Sequence, residues 1–109
     1  MKEIVDLADR LGAAIAAHAR RAALRTATDA LRGDAEATVL EAEFAEAAGA
    51  LREKMAAGRP VEPEEKRRED ALRRKVASNA RIQAYLRAQA DFHELMLAVR
   101  DAIDRRIEA

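Results

Sequence analysis

The chain has 109 residues, of which 20 are basic and 20 are acidic, so its formal net charge at pH 7 is zero. This length suits a single domain, and the balanced charge gives no indication of a polyanionic partner. The absence of cysteine excludes disulfides, thiolate metal sites and a cysteine nucleophile.

The apolar content of the chain is rich in alanine. Half of the residues are hydrophobic, but 28 of these are Ala and only 26 are larger. A monomer would therefore have a thin core, and small proteins of this kind often rely on oligomerisation. Helix-forming Ala, Arg, Glu and Leu dominate, while β-branched and aromatic residues are scarce. The composition predicts an all-α, oligomeric protein.

Breaker and capping residues divide the first half of the chain into two predicted helices. The first helix spans about residues 2–31, and Gly33 marks its end. Asp34 is the expected N-cap of a second helix over about 34–57. The large apolar residues of the second helix recur at heptad-like spacing at Leu40, Phe44, Leu51 and Met55.

The second half of the chain predicts two further helices. Residues 58–63 contain one Gly and two Pro and form the clearest turn, with Pro63 at the start of a helix over about 63–77. Asn79 is the expected cap of a last helix over about 79–107, although a nearly continuous helix kinked at Ser78 is an alternative. Short connections place neighbouring helices antiparallel. One domain over 1–109, an antiparallel bundle of three to four long helices, is predicted.

The last helix carries an apolar stripe about eight turns long, or roughly 40 Å. The chain offers few large side chains to cover this stripe, so it points to assembly. A membrane-surface helix is a weaker alternative, because its polar face is mixed in sign rather than basic. The residues expected to form the core or an interface are Leu40, Phe44, Leu51, Ile82, Leu86, Met96, Val99 and Ile103.

No residue pattern indicates catalysis, a metal site or a cofactor. The two histidines, His18 and His93, lack the partners that a zinc protease or a di-iron bundle requires, so each is interpreted as a histidine at a helix interface. The glycines are isolated, and no phosphate-binding loop is present. We therefore expect a protein that is not an enzyme, with no cofactor.

A basic stripe on the third helix offers a different hypothesis, that of a nucleic-acid-binding helical hairpin. Two basic triplets seven residues apart align along one helix and could follow a phosphate backbone. Acidic residues lie among them and no aromatic residue accompanies them, so a solvated charged face is favoured over nucleic acid. The stripe consists of Lys66, Arg67, Arg68, Arg73, Arg74 and Lys75.

The expected location is the cytoplasm. The first ten residues carry acids and no long apolar core, so they do not resemble a signal peptide. No run of 18 apolar residues exists, so no membrane span is expected.

A scattered pattern of residues resembles the YlbF/YmcA family of small helical bacterial regulators. The densest part lies in the last helix, where Asn79, Ile82, Tyr85-Leu86 and Ala88 precede further apolar positions. Earlier parts of the pattern are Ala13-Ala14-Ile15, Asp34-Ala35-Glu36-Ala37 with Leu40 and Phe44, the turn Ala57-Gly58-Arg59-Pro60, and Pro63-Glu64-Glu65. Its last parts are Phe92, Leu95-Met96, Val99 and Ile103.

This resemblance implies an all-α protein that associates with itself or with related helical proteins and has no catalytic residues. It also implies an adaptor role in RNA processing, with a complex that contains ribonuclease Y. The resemblance further implies a link to the control of competence, sporulation or biofilm formation. Cysteines hold iron–sulfur clusters in some complexes of the family. This chain has no cysteine and cannot supply such ligands.

Overall fold

The computed structural model describes all 109 residues as five α-helices joined by short turns, without strands. The helices are α1 (Lys2–Ala16), α2 (Ala19–Arg32), α3 (Ala35–Ala56), α4 (Pro63–Ser78) and α5 (Ala80–Glu108). The all-helical prediction is confirmed, but there are five helices rather than three to four. None of the five combines the length and apolar content that crossing a membrane requires.

The chain divides into two compact units. The terminal unit contains Met1–Asp29 and Tyr85–Ala109, and the central unit contains Ala30–Ala84. Helices α2 and α5 contribute residues to both units. Each unit is described below by itself.

The predicted first helix is wrong in one respect, because it breaks at Ala17 and His18 into α1 and α2. The His18 ring Nδ1 accepts a hydrogen bond from the backbone N–H of Arg20 at 3.0 Å. The His18 carbonyl accepts from the N–H groups of Arg21 and Ala22. His18 thus caps α2 in the way that Asn or Asp usually caps a helix. Neither Gly nor Pro marks this break, so the residue pattern did not predict it.

The other helix boundaries lie at the capping and helix-breaking residues from which they were predicted. The Asp34 carboxylate accepts from the Ala37 N–H at 3.0 Å and caps α3. Pro63 begins α4, and the Asn79 side chain accepts from the Ile82 N–H at 3.0 Å at the start of α5. Asn79 itself is extended, so α4 and α5 are separate helices rather than one kinked helix.

Within the central unit, α3 and α4 form the antiparallel hairpin that the short connection predicted. Lys54 of α3 pairs with Glu65 of α4, and further from the turn Arg73 lies over the Phe44 ring at 5.4 Å. The two pairs run in opposite directions along the chain, as antiparallel helices require. The apolar core of this unit consists of Leu31, Ala37, Ala47, Leu51, Leu72, Val76 and Ile82.

Within the terminal unit, polar contacts connect the first turn of α2 to α5. Arg20 Nη1 donates to the Asp91 carbonyl oxygen at 2.9 Å and lies 4.0 Å from Glu94 Oε1. Arg21 lies over the Phe92 ring at 5.8 Å. Ala88 is the single buried residue of this unit, and α1 buries none. The terminal unit therefore lacks a core of large apolar side chains.

Candidate interaction surfaces

An apolar groove of about 550 Å³, here called the terminal groove, lies between α1 and α5. Apolar side chains dominate its walls, and His93, Arg100 and Asp104 supply the few polar groups. The apolar residues that line it, apart from Ala8 and Gly12, are Leu11, Ile15, Met96, Leu97, Val99 and Ile103.

The same two helices also carry large, solvent-exposed apolar side chains outside the terminal groove. On α1, Ile4 is 72% exposed and Leu7 is 61% exposed; on α5, Ile107 is 75% exposed. Single exposed apolar residues are ordinary on proteins, whereas a contiguous set indicates an interaction surface. Terminal-unit helices α1 and α5 therefore carry apolar surface that nothing in this chain covers.

The residues predicted as core or interface divide between buried and exposed positions. Leu51 and Ile82 are buried in the central unit, whereas Leu40, Phe44 and Val99 are partly buried. The remaining three, Leu86, Met96 and Ile103, are exposed.

A second groove, here called the hairpin groove, has a volume of about 380 Å³ and lies between α3 and α4. Its lining is mixed, with apolar residues from α3 and three basic residues from the two helices. These residues are Phe44, Ala48, Leu51, Arg52, Met55, Lys66, Glu69 and Arg73.

Glu69 is a buried residue that the sequence pattern did not reveal. The acidic residues among the basic triplets were expected on a solvated face, but the Glu69 side chain is only 2% exposed. Its carboxylate accepts hydrogen bonds from Arg73 and, at 3.4 Å, from Lys66 Nζ. The signal was its spacing of three and seven residues from Leu72 and Val76, which places it on the buried face of α4.

The structure splits the basic stripe of α4 into two groups. Lys66 and Arg73 face the hairpin groove and pair with Glu69, and Lys66 also approaches Asp70 at 3.5 Å. The other four residues are exposed, and their side chains make no ion pair or hydrogen bond: Arg67, Arg68, Arg74 and Lys75. The six cations do not act as one stripe.

Near the turn of the hairpin, the carboxylate of Glu65 contacts both helices and has a lowered pKa. A hydrogen bond from Lys54 lowers the pKa of Glu65, and a hydrogen bond from the Glu62 backbone N–H lowers it further. The same bond to Glu62 belongs to the capping box that begins α4. Glu65 thus joins the two helices and caps one of them.

The two histidines have different surroundings. His18 caps α2, and His93 lines the terminal groove. No three His, Asp or Glu side chains converge in an arrangement that could hold a metal ion.

Comparison with known proteins identifies the family. The family model described as control of competence regulator ComK, YlbF/YmcA, matches residues 4–108. A search of the curated proteins found no match. The match spans both units and all five helices, and it agrees with the resemblance carried by Asn79, Ile82 and Tyr85-Leu86. The chain therefore belongs to the YlbF/YmcA family, whose description is that of a regulator.

Proposed function

We propose that the chain is a non-enzymatic, cytoplasmic regulatory adaptor that associates with itself and binds protein partners. The observation that supports self-association most directly is the terminal unit, which exposes Ile4, Leu7 and Ile107 and buries only Ala88. Fully burying a large apolar side chain stabilises a protein by about 1.5–3 kcal/mol. A second copy that covers α1 and α5 would supply the burial that one chain lacks.

A pair of charge insertions tests this assignment of the surface. Ile103 lines the terminal groove and is 47% exposed, while Val39 of α3 is similarly exposed and lies outside both grooves. Ile103→Lys should lower the mass measured by light scattering towards that of one chain, because it places an unpaired charge in the interface. Val39→Lys should leave the mass unchanged. Equal masses for both variants and the parent would contradict the assignment.

The proposed biological setting is based on the family. Its description names control of a competence regulator. The resemblance extends this role to adaptors of ribonuclease Y in RNA processing, and to sporulation or biofilm control. Affinity capture from the native host tests this part, with recovery of ribonuclease or degradosome components as the expected result. Self-association without such partners would favour a purely structural oligomer.

A nucleic-acid-binding hairpin is the second candidate, favoured by the four unpaired basic residues of α4. Reversing Arg67, Arg68, Arg74 and Lys75 to Glu would abolish RNA binding if the candidate were correct. The affinity of the parent would also fall steeply with salt, because each phosphate contact releases counterions. The adaptor proposal predicts no measurable RNA affinity at physiological salt for the parent or the variant.

A further inference from the structure

We propose that the hairpin groove of the central unit is a docking site for an acidic, amphipathic helical segment of a partner protein. The inference deepens the proposed adaptor function, because it names the chemistry of a partner and the surface that receives it. It uses residues of α3 and α4 only, none of which lines the terminal groove.

The groove lies between two antiparallel helices, a setting that can receive a third helix. Two antiparallel helices present a channel between them, and a third helix laid into that channel buries its apolar face, a recurrent mode of peptide recognition. The apolar part of the lining comes from Phe44, Leu51 and Met55. Met55 is 71% exposed, so a partner can contact it, and the flexible, polarizable Met side chain adapts well to a bound partner. Aromatic residues, Met and Arg are also enriched at protein interfaces.

The charges of the groove select an acidic partner. Three cations, Arg52, Lys66 and Arg73, line it together with one carboxylate, that of Glu69. Glu69 is buried and already accepts from Lys66 and Arg73, so it is not presented to a partner. Asp70 offsets part of the Lys66 charge, whereas Arg52 makes no ion pair in this chain. The rim thus carries an excess of positive charge.

Contacts within the groove hold the Arg73 side chain in place. Arg73 is bonded to Glu69 on one side and lies over the Phe44 ring on the other. A guanidinium has five N–H donors in a planar arrangement, so the bond to Glu69 leaves donors for a carboxylate of the partner. Because the side chain is already ordered, binding loses little conformational entropy. Glu69 acts here as a positioning residue.

The test uses two labelled synthetic helices and the full-length chain. Both peptides carry apolar residues every three or four positions, flanked by Glu in one peptide and by Lys in the other. Fluorescence anisotropy should show binding of the Glu peptide and at least about tenfold weaker binding of the Lys peptide, as expected for a charge-assisted hydrogen bond. Equal affinities for the two peptides would overturn the proposal.

Two matched pairs of exposed substitutions locate the binding site. Arg52→Glu and Met55→Ala alter the hairpin groove. Outside it, Arg67→Glu makes the same charge reversal and Val39→Ala truncates another exposed apolar side chain. We expect Arg52→Glu to lower the affinity for the Glu peptide at least about tenfold and Met55→Ala about threefold or more. Arg67→Glu and Val39→Ala should change it less than twofold. Equal losses within each pair would overturn the proposal.

The same variants separate this inference from the proposed self-association. Arg52→Glu and Met55→Ala should leave the mass measured by light scattering unchanged, and a fall in mass would make the groove an interface between copies and overturn the proposal. Displacement of the Glu peptide by single-stranded RNA would also overturn it in favour of nucleic acid. Specific peptide binding by a monomeric chain would support the docking site while contradicting self-association.

Discussion

The buried carboxylate of Glu69 leads to a prediction about stability that a double-mutant cycle can measure. Arg73→Met keeps an apolar stem over the Phe44 ring but removes the donor to Glu69, leaving Lys66 at 3.4 Å as the remaining partner. A hydrogen bond to a charged group contributes about 1.5–3 kcal/mol, and Lys66 compensates part of its loss. We expect the free energy of unfolding to fall by about 1–3 kcal/mol.

The second side of the cycle removes the buried charge. Glu69→Leu keeps a similar volume, and replacing a buried ion pair by an apolar side chain is often neutral or stabilising. Arg73 and Lys66 are mostly exposed, so water solvates them when the carboxylate is gone. We therefore expect Glu69→Leu to be within about 1 kcal/mol of the parent or more stable. In that background, Arg73→Met should cost less than about 0.5 kcal/mol.

Urea denaturation followed by circular dichroism measures all four corners of the cycle. The protein concentration must be the same throughout, because association adds to the apparent stability. An equal cost of Arg73→Met in the presence and absence of Glu69 would refute the reasoning. It would mean that the buried carboxylate does not depend on Arg73.

Further predictions concern three helix ends and one glycine inside α3. His18→Ala should lower the free energy of unfolding by about 1 kcal/mol through loss of the α2 cap, and His18→Asn should retain most of it. Gly58→Ala should lower the free energy of unfolding by about 1–2 kcal/mol because φ at Gly58 is +68°. Gly49→Ala, inside α3, should raise it by about 0.5–1 kcal/mol, because the nearest atom to an added methyl group, Arg52 Nη2, lies at an ordinary contact distance of 3.9 Å. The pKa of Glu65 in the folded state is lowered from 4.5. The stabilisation that its carboxylate provides is therefore present above pH 4.5 and is lost as pH falls through the folded-state pKa. Glu65→Gln should be less stable than the parent at neutral pH but not in acid.

Denaturant titrations check these predictions, with pH as a second variable for Glu65→Gln. Equal stabilities of His18→Ala and His18→Asn would show that the ring does not act as a cap. A stability difference between Glu65→Gln and the parent that persists unchanged in acid would contradict the pKa argument. A stabilising effect of Gly58→Ala would contradict the left-handed conformation at the end of α3.

The helix boundaries that depend on local chemistry could be predicted from the sequence. Asp34 and Asn79 are good acceptors for the first N–H groups of a helix, and Pro63 fits the first helical position. The break at His18 could not be predicted in this way. Histidine is not among the residues usually found at a helix N-cap, and this turn contains neither Gly nor Pro.

The candidate surfaces could be predicted only in part, because periodicity identifies a helix face without identifying what covers it. The α5 stripe was visible in the sequence, yet Ile82 is buried in the central unit while Ile103 is exposed in the terminal unit. The basic residues of α4 fall into two groups for the same reason, since the sequence does not identify which of them face another helix. Lys66 and Arg73 differ from their neighbours only in facing α3, and that contact is a property of the fold.

Self-association through the terminal unit is the central claim, and sedimentation velocity over a dilution series in the micromolar range tests it most directly. We predict a species of at least twice the 12.0 kDa of one chain at the higher concentrations. This species should dissociate on dilution, and the thermal midpoint should fall with it. A single 12.0 kDa species at every concentration, with an unchanged thermal midpoint, would contradict the account.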